Sequence, residues 1–190
     1  FRSFTLSRAR RAASKRSTPM DAPVAGTRSP RKRITRSSYR PPLKTEPILL
    51  SALLDSCLEL LAPVIKQAGV AVKRAYPENE HKVNADQNQL RQVFLNLVLN
   101  AIQSAKDQCC VEVSVKEFVQ ETRVAVKDHG PGIPPGSLKR VFEPFFTTKP
   151  GGTGLGLPIA QRIVAEHGGR LVIESAPGAG TTATVILPGG

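Results

Sequence analysis

The sequence predicts an α/β (α+β) fold: a two-layer α/β sandwich with helices on one face of a mixed, mostly antiparallel sheet. Three observations lead there. From residue 45 onward, helical periods and strand-like alternations follow one another to the end of the chain. The longer strand-like stretches come in adjacent pairs, as antiparallel neighbours do. The helical stretches carry one apolar face, so each has a single side to bury.

The elements run as follows. Pro41-Pro42 closes an Arg-rich segment, and Ile48 to Ile65 then reads as one helix. Leu50, Leu53, Leu54, Leu58, Leu61 and Ile65 recur in it at helical spacing. Gly69 lies just past its end. Val70 to Arg74 reads as a short strand and Lys82 to Asn84 as a weaker one. Asp86 opens a second helix as its cap, with Gln89 in the capping-box position. Leu90, Val93, Phe94, Leu97, Val98, Ala101 and Ile102 form its apolar face, and Gln89, Gln92, Asn96, Asn100 and Gln103 form a polar stripe beside it. That stripe is either a solvated flank or a wall of ligand-facing amides, and spacing alone favours the flank. Val111 to Phe118 and Thr122 to Asp128 alternate as strands around Gln120-Glu121. Pro158 suits the first turn of a third helix, where its missing N–H is no loss, and Gly168-Gly169 stops that helix. Arg170 to Ser175 and Thr181 to Leu187 are the last strands, around the turn Pro177-Gly178-Ala179-Gly180.

Charge divides the chain. Residues 1–44 hold 13 Lys/Arg and one acid, Asp21, a net of +12; residues 45–190 hold 14 Lys/Arg and 14 Asp/Glu, a net of zero. Residues 1–44 read as a disordered basic tail, because Arg, Ser, Pro and Ala without a hydrophobic period bury too little surface to order themselves. Residues 45–190 are chain enough for one core. Other readings of the tail are phosphate-backbone binding, a transit peptide (FRSFTLSRARRAASKRS is free of acids), and a translated non-coding start. Only Phe1, Phe4 and Tyr39 could stack on bases, so nucleic acid is not the expected partner. The chain begins without Met, as a fragment or processed form does. Cys57, Cys109 and Cys110 make no disulfide framework, and no Cys/His spacing suggests zinc. A reducing, cytoplasmic setting fits them, with an organelle as the transit-peptide alternative. No apolar run approaches the ~18 residues of a membrane span.

The stretch from Asp128 to Leu157 holds Gly130, Gly132, Gly136, Gly151, Gly152, Gly154 and Gly156, seven of the 15 glycines. Such density costs backbone entropy and points to sharp bends beside a ligand. The chain has no Gly-Lys pair, which excludes a P-loop, and no G-x-G-x-x-G dinucleotide pattern. What remains is a glycine loop running into a helix N-terminus, whose unpaired N–H groups attract an anion. Lys149 adds a positive charge, and the Asp128 carboxylate can accept from an exocyclic amine or serve as a turn former.

Taken together, the motifs from about Thr45 to Pro188 resemble the ATP-binding catalytic domain of bacterial two-component sensor histidine kinases, members of the Bergerat-fold superfamily. QLRQVFLNLVLNAIQSA is similar to the N box, DHGPGIP to the first glycine box, VFEPFFTTK to the F box, GGTGLGLPIA to the second glycine box, and GAGTTATVILP to the last motif. The resemblance implies ATP and Mg2+ as cofactors, with Asn100 as metal ligand. It implies that Asp128 recognises the adenine amino group with help from Thr181. Gly130 and Gly132, with Ile133 beside them, would admit the ring. Phe145, Phe146 and Lys149 would belong to a mobile lid, and Gly152, Thr153, Gly154, Leu155 and Gly156 to the loop against the phosphates, with Leu155 and Leu157 also packing. Gln103 completes the implied site, where a charged side chain is frequent, and Ala183 stands where an aromatic is common.

Hydrolysing members of the superfamily carry a Glu at position 96 to activate water. Here it is Asn96, which takes no proton, so slow hydrolysis is expected. Asn96 and Lys149 are the implied catalytic residues of a kinase that works by positioning and charge neutralisation. His81, His129 and His167 do not stand in a phosphoacceptor context. The acceptor histidine domain is therefore expected elsewhere, in the full-length protein or in another chain, with a response-regulator receiver domain as the next partner. A non-catalytic ATP-dependent switch of the same fold is the alternative.

Overall fold

The computed structural model describes residues 43–105, 110–149 and 151–189, all within the compact unit Pro41–Gly190. Apart from Leu43 and Lys44, the basic tail read over residues 1–44 lies outside them. In chain order the elements are β1 (Glu46–Ile48), α1 (Leu50–Leu60), α2 (Ala62–Ala68), β2 (Ala71–Ala75), β3 (Val83–Ala85), α3 (Gln87–Ser104), β4 (Cys110–Glu117), β5 (Glu121–Asp128), α4 (Pro135–Leu138), α5 (Gly156–Glu166), β6 (Arg170–Ala176) and β7 (Gly180–Pro188).

Alternation builds the sheet. Val111, Val113 and Val115 on β4, and Val124 and Val126 on β5, all face one side and are buried. The intervening Glu112, Ser114, Lys127 and Ala125 face the other side. The strand order is β2-β4-β5-β7-β6; β2 and β4 run parallel, and every other pair is antiparallel. A separate ribbon pairs β1 with β3, antiparallel, with Glu46 opposite Ala85. α3 packs against α1 on one side and α5 on the other, and contacts β4 and β5 beneath. Its apolar face, Leu90, Val93, Phe94, Leu97, Val98, Ala101 and Ile102, is the buried face that the sequence pattern predicts. The two-layer α/β expectation holds.

Three local expectations are corrected. The first helix is broken: α1 ends at Leu60 and α2 begins at Ala62, with Leu61 between them at φ −90°, ψ 0°. Pro63 explains the break, because it has no N–H to give to Glu59 and its ring crowds that carbonyl. Pro47 sits in β1, a strand that the sequence pattern did not announce; the two-stranded ribbon tolerates it because each strand has an open edge. The capping box at Asp86 is half-formed. Asp86 Oδ1 accepts from Gln89 N–H at 3.1 Å, as expected. The reciprocal bond is replaced: the Asp86 N–H donates to His167 Nε2 at 3.0 Å, and His167 Nδ1 donates to the Ile163 carbonyl at 2.8 Å. Gln89 Oε1 is buried without a partner. His167 thereby ties the end of α5 to the start of α3, and the pair of bonds requires the neutral ring.

Replacing His167 by Leu leaves the Asp86 N–H without an acceptor and should cost ~1–3 kcal/mol in denaturant unfolding. Phe94→Ala, at a fully buried α3 position, should cost ~3–5 kcal/mol in the same measurement.

Candidate active site

Asp128 ends β5 and is 5 % exposed, one of only two buried polar or charged side chains among the described residues. Its Oδ1 accepts from Gly130 N–H at 2.9 Å, and the Thr181 N–H also bonds to the carboxylate. Burial raises the Asp128 pKa above its ordinary value; the Gly130 and Thr181 N–H groups and the charge of Lys149 oppose that rise without cancelling it.

Register places its neighbours. Asp128 lies opposite Thr181 on β7, and Thr181 lies opposite Ser175 on β6. Ser175 Oγ donates to the Gly180 carbonyl at 2.8 Å, accepts from Ile133 N–H at 2.8 Å, and meets Thr181 Oγ1 at 3.0 Å. One hydroxyl thus joins the first glycine box to the last turn. Ser175 was not singled out in the sequence, because only the β6–β7 register reveals it.

The first glycine box packs more tightly than a ligand-admitting turn requires. Gly132 sits at φ 71°, and a Cβ there would fall 2.0 Å from the Ala176 carbonyl oxygen. Protein backbone, rather than a ring, occupies the space that a side chain would take. Gly130 serves through its N–H to Asp128.

Asn96 and Asn100 are half-buried on α3, while Gln92 and Gln103 of the same stripe are exposed. Asn96 Nδ2 donates to the Gly156 carbonyl at 3.4 Å. A methyl group at Gly156 would sit 3.7 Å from Asn96 Cγ and 3.9 Å from Asn100 Nδ2. The stripe therefore splits: Asn96 and Asn100 face the start of α5, Gln92 and Gln103 face solvent, and Gln89 is half-buried. No side chain caps α5 at Leu155, which leaves the N–H groups of its first turn without a capping partner. Thr153 is exposed and accepts from Leu155 N–H at 3.4 Å.

Between these walls runs the lid. Val141 is buried and Phe142 packs against the core, but Phe145 is 75 % exposed at φ 66°. Its N–H donates to the Gly154 carbonyl at 3.0 Å. A Cβ on Gly154, itself at φ 65°, would fall 2.4 Å from the Phe145 carbonyl carbon. That contact pinches the two ends of the lid together. Phe146 lies under the Arg140 guanidinium at 4.3 Å, so the F box splits between core, cation and solvent. Lys149 reaches back from the lid and donates from Nζ to the Asn100 carbonyl at 2.9 Å. Burial lowers its pKa, and the Asp128 charge pulls the other way.

The site residues named from the sequence thus come from five places: the middle of α3, the end of β5 with the turn after it, the lid, the start of α5, and Thr181 at the start of β7. Gln103 is set apart from them by its exposure at the end of α3. The donor set suits a magnesium-bound polyphosphate: neutral amide oxygens on α3, N–H groups at α5, a lysine, and a cradle at Gly156 that a side chain would fill.

The model of the histidine kinase-, DNA gyrase B-, and HSP90-like ATPase family matches residues 85–190. Sporulation kinase A of Bacillus subtilis (strain 168) is 38% identical over 139 residues, covering 73% of this chain and 23% of that protein. The chain therefore spans under a quarter of that relative's length. The solved catalytic domain of the histidine kinase ThkA is similar with a TM-score of 0.69 and 31% identity, over 76% of this chain and 97% of that one. Full-length ShkA in complex with AMPPNP gives a TM-score of 0.71 and 30% identity, over 77% of this chain and 31% of that one. ThkA solved with the response regulator TrrA gives 0.68 and 27%, over 77% and 42%. No described helix is long and apolar enough to cross a membrane. The chain belongs to the histidine kinase-, DNA gyrase B- and HSP90-like ATPase family, as a catalytic domain of the histidine-kinase kind.

Proposed function

We propose that this chain binds Mg-ATP and transfers its γ-phosphoryl group to a histidine, as the catalytic domain of a two-component kinase in the cytoplasm. Residues 45–190 form that domain, and residues 1–44 a basic tail outside it. The observation that carries the reading is the buried Asp128 carboxylate at the end of β5, held by the Gly130 N–H at 2.9 Å and set opposite Thr181. A carboxylate so placed accepts a hydrogen bond from an adenine amino group.

Each residue then has a task. Asp128 and Thr181 hold the base. Gly130, Gly132 and Ile133 fix the turn that aims the carboxylate. Asn100 would hold the magnesium ion, which neutralises phosphate charge when bound. Gly152, Thr153, Gly154, Leu155 and Gly156 bring the N–H groups of α5 to the phosphates. Lys149 leaves the Asn100 carbonyl for the phosphates and carries its charge to them, while Phe145 and Phe146 move with the lid. Asn96 orients the incoming histidine and, as a neutral amide that takes no proton, does not activate water. Gln103 lies at the rim. The acceptor histidine belongs to a dimerisation domain of the full-length protein or of another chain, and the phosphoryl group passes on to a receiver domain. The ThkA complex with its response regulator and the AMPPNP complex of ShkA support these partners by likeness.

Supplied with labelled ATP, magnesium and a dimerisation-domain histidine, the domain should label that histidine, while ATP turnover without the acceptor stays slow. ATP binding without any transfer would favour the nucleotide switch. Asp128→Asn tests the pocket. Its raised pKa means that ionising Asp128 inside the fold costs stability once pH rises through the folded value, and the cost is absent below the ordinary carboxylate value. Asn removes that cost, so the melting temperature at neutral pH should stay level or rise. ATP affinity by calorimetry should nevertheless fall about ten- to a hundredfold, the worth of a hydrogen bond to a charged group, ~1.5–3 kcal/mol.

A further inference from the structure

Sequence spacing gave no zinc motif, yet the β4–β5 register assembles a set of zinc-type ligands. Val111 lies opposite Asp128, which brings Cys110 beside His129 and puts Glu112 opposite Lys127. The thiol, carboxylate and imidazole all project from the sheet face away from the helices. We propose that Cys110, Glu112 and His129 bind a zinc-class divalent transition ion there.

The geometry is close to what such an ion needs. One donor atom from each residue lies within 4.8 Å of the other two. His129 Nε2 is 3.0 Å from Glu112 Oε1, and Cys110 Sγ is 3.9 Å from the same oxygen. Tetrahedral zinc, with bonds of about 2.0–2.3 Å, sets its donors about 3.3–3.8 Å apart. Closing the difference takes small side-chain rotations. The His129 and Glu112 side chains are part-exposed, at 38% and 40%. Lys127 approaches the other carboxylate oxygen, Oε2, at 4.0 Å, so Oε1 remains turned toward the thiol and the ring. Cys110 is a free thiol. Thiolate, imidazole and carboxylate are the three ligand types that zinc takes, and three protein ligands leave a fourth position for water. Magnesium and calcium prefer oxygen and would not favour this set.

The location adds a consequence. His129 follows Asp128 directly, and the two side chains point to opposite sides of the sheet. A bound ion would fasten the outer side of this turn to β4 while Asp128 faces inward.

The reduced full chain, stripped with chelator and free of nucleotide, is titrated with zinc by calorimetry. One ion should bind per chain. Cys110→Ser and His129→Gln should each weaken binding more than about tenfold, while Cys109→Ser and His81→Gln leave it unchanged. Cobalt loading should give a thiolate-to-metal charge-transfer band that Cys110→Ser removes. Circular dichroism matching the wild type establishes that these surface variants fold. No binding by the wild-type chain, equal affinity in the Cys110 and His129 variants, or dependence on Cys109 in place of Cys110 would overturn the site. None of these outcomes depends on whether ATP binds.

Discussion

A single desolvated carboxylate sets the terms for the rest of the molecule. Asp128 closes the central strand β5, where β4 and β7 flank it and α3 packs over it. Little of it meets solvent, so the fold supplies donors, backbone N–H groups from two segments. Those N–H groups come into position only if the glycine turn after β5 and the hairpin between β6 and β7 both take their observed shapes. Ser175 links the two by bonding to Ile133 and Gly180. The hydrogen bonds around one charge therefore fix the relative positions of two chain segments far apart in sequence, the turn after β5 and the β6–β7 hairpin.

The helical layer is arranged around the same point. α3 must bury a continuous apolar face and still offer Asn96 and Asn100 to α5. Helical periodicity meets both demands, because the two amides fall one turn apart on the flank of the buried stripe. The lid crosses from the end of β5 to the start of α5. Its ends are pinched at Phe145 and Gly154, and Lys149 is drawn onto α3. That lysine takes a helix carbonyl as acceptor, a contact compatible with its burial.

Much of this was legible in the sequence. The valine alternation of β4 and β5, the apolar face of α3, the cap at Asp86 and the glycine clusters each express a local rule, and local rules survive folding. The motif order singled out Asn96, Asn100, Asp128, Lys149 and Gly156, which lie on segments that the structure brings near one another. What remained hidden depended on register or on distant contacts. β1 is three residues long and contains a proline, so nothing marked it as a strand. The break at Leu61 lay in the sequence as Pro63, but the leucine spacing ran straight through it. Ser175 and His167 gained their roles from partners reached only across the sheet or between helices. The tight packing of Gly132 against Ala176 likewise needed the β6–β7 hairpin in place.

The imidazole bridge between the α5 terminus and the α3 cap has a mechanical consequence. One end of α5 is thereby tied to the start of α3, in addition to the packing along their lengths. The other end, which carries the glycine loop, has no side-chain cap. The helix is thus anchored at its far end from the loop, and a change in the glycine loop need not disturb that anchor.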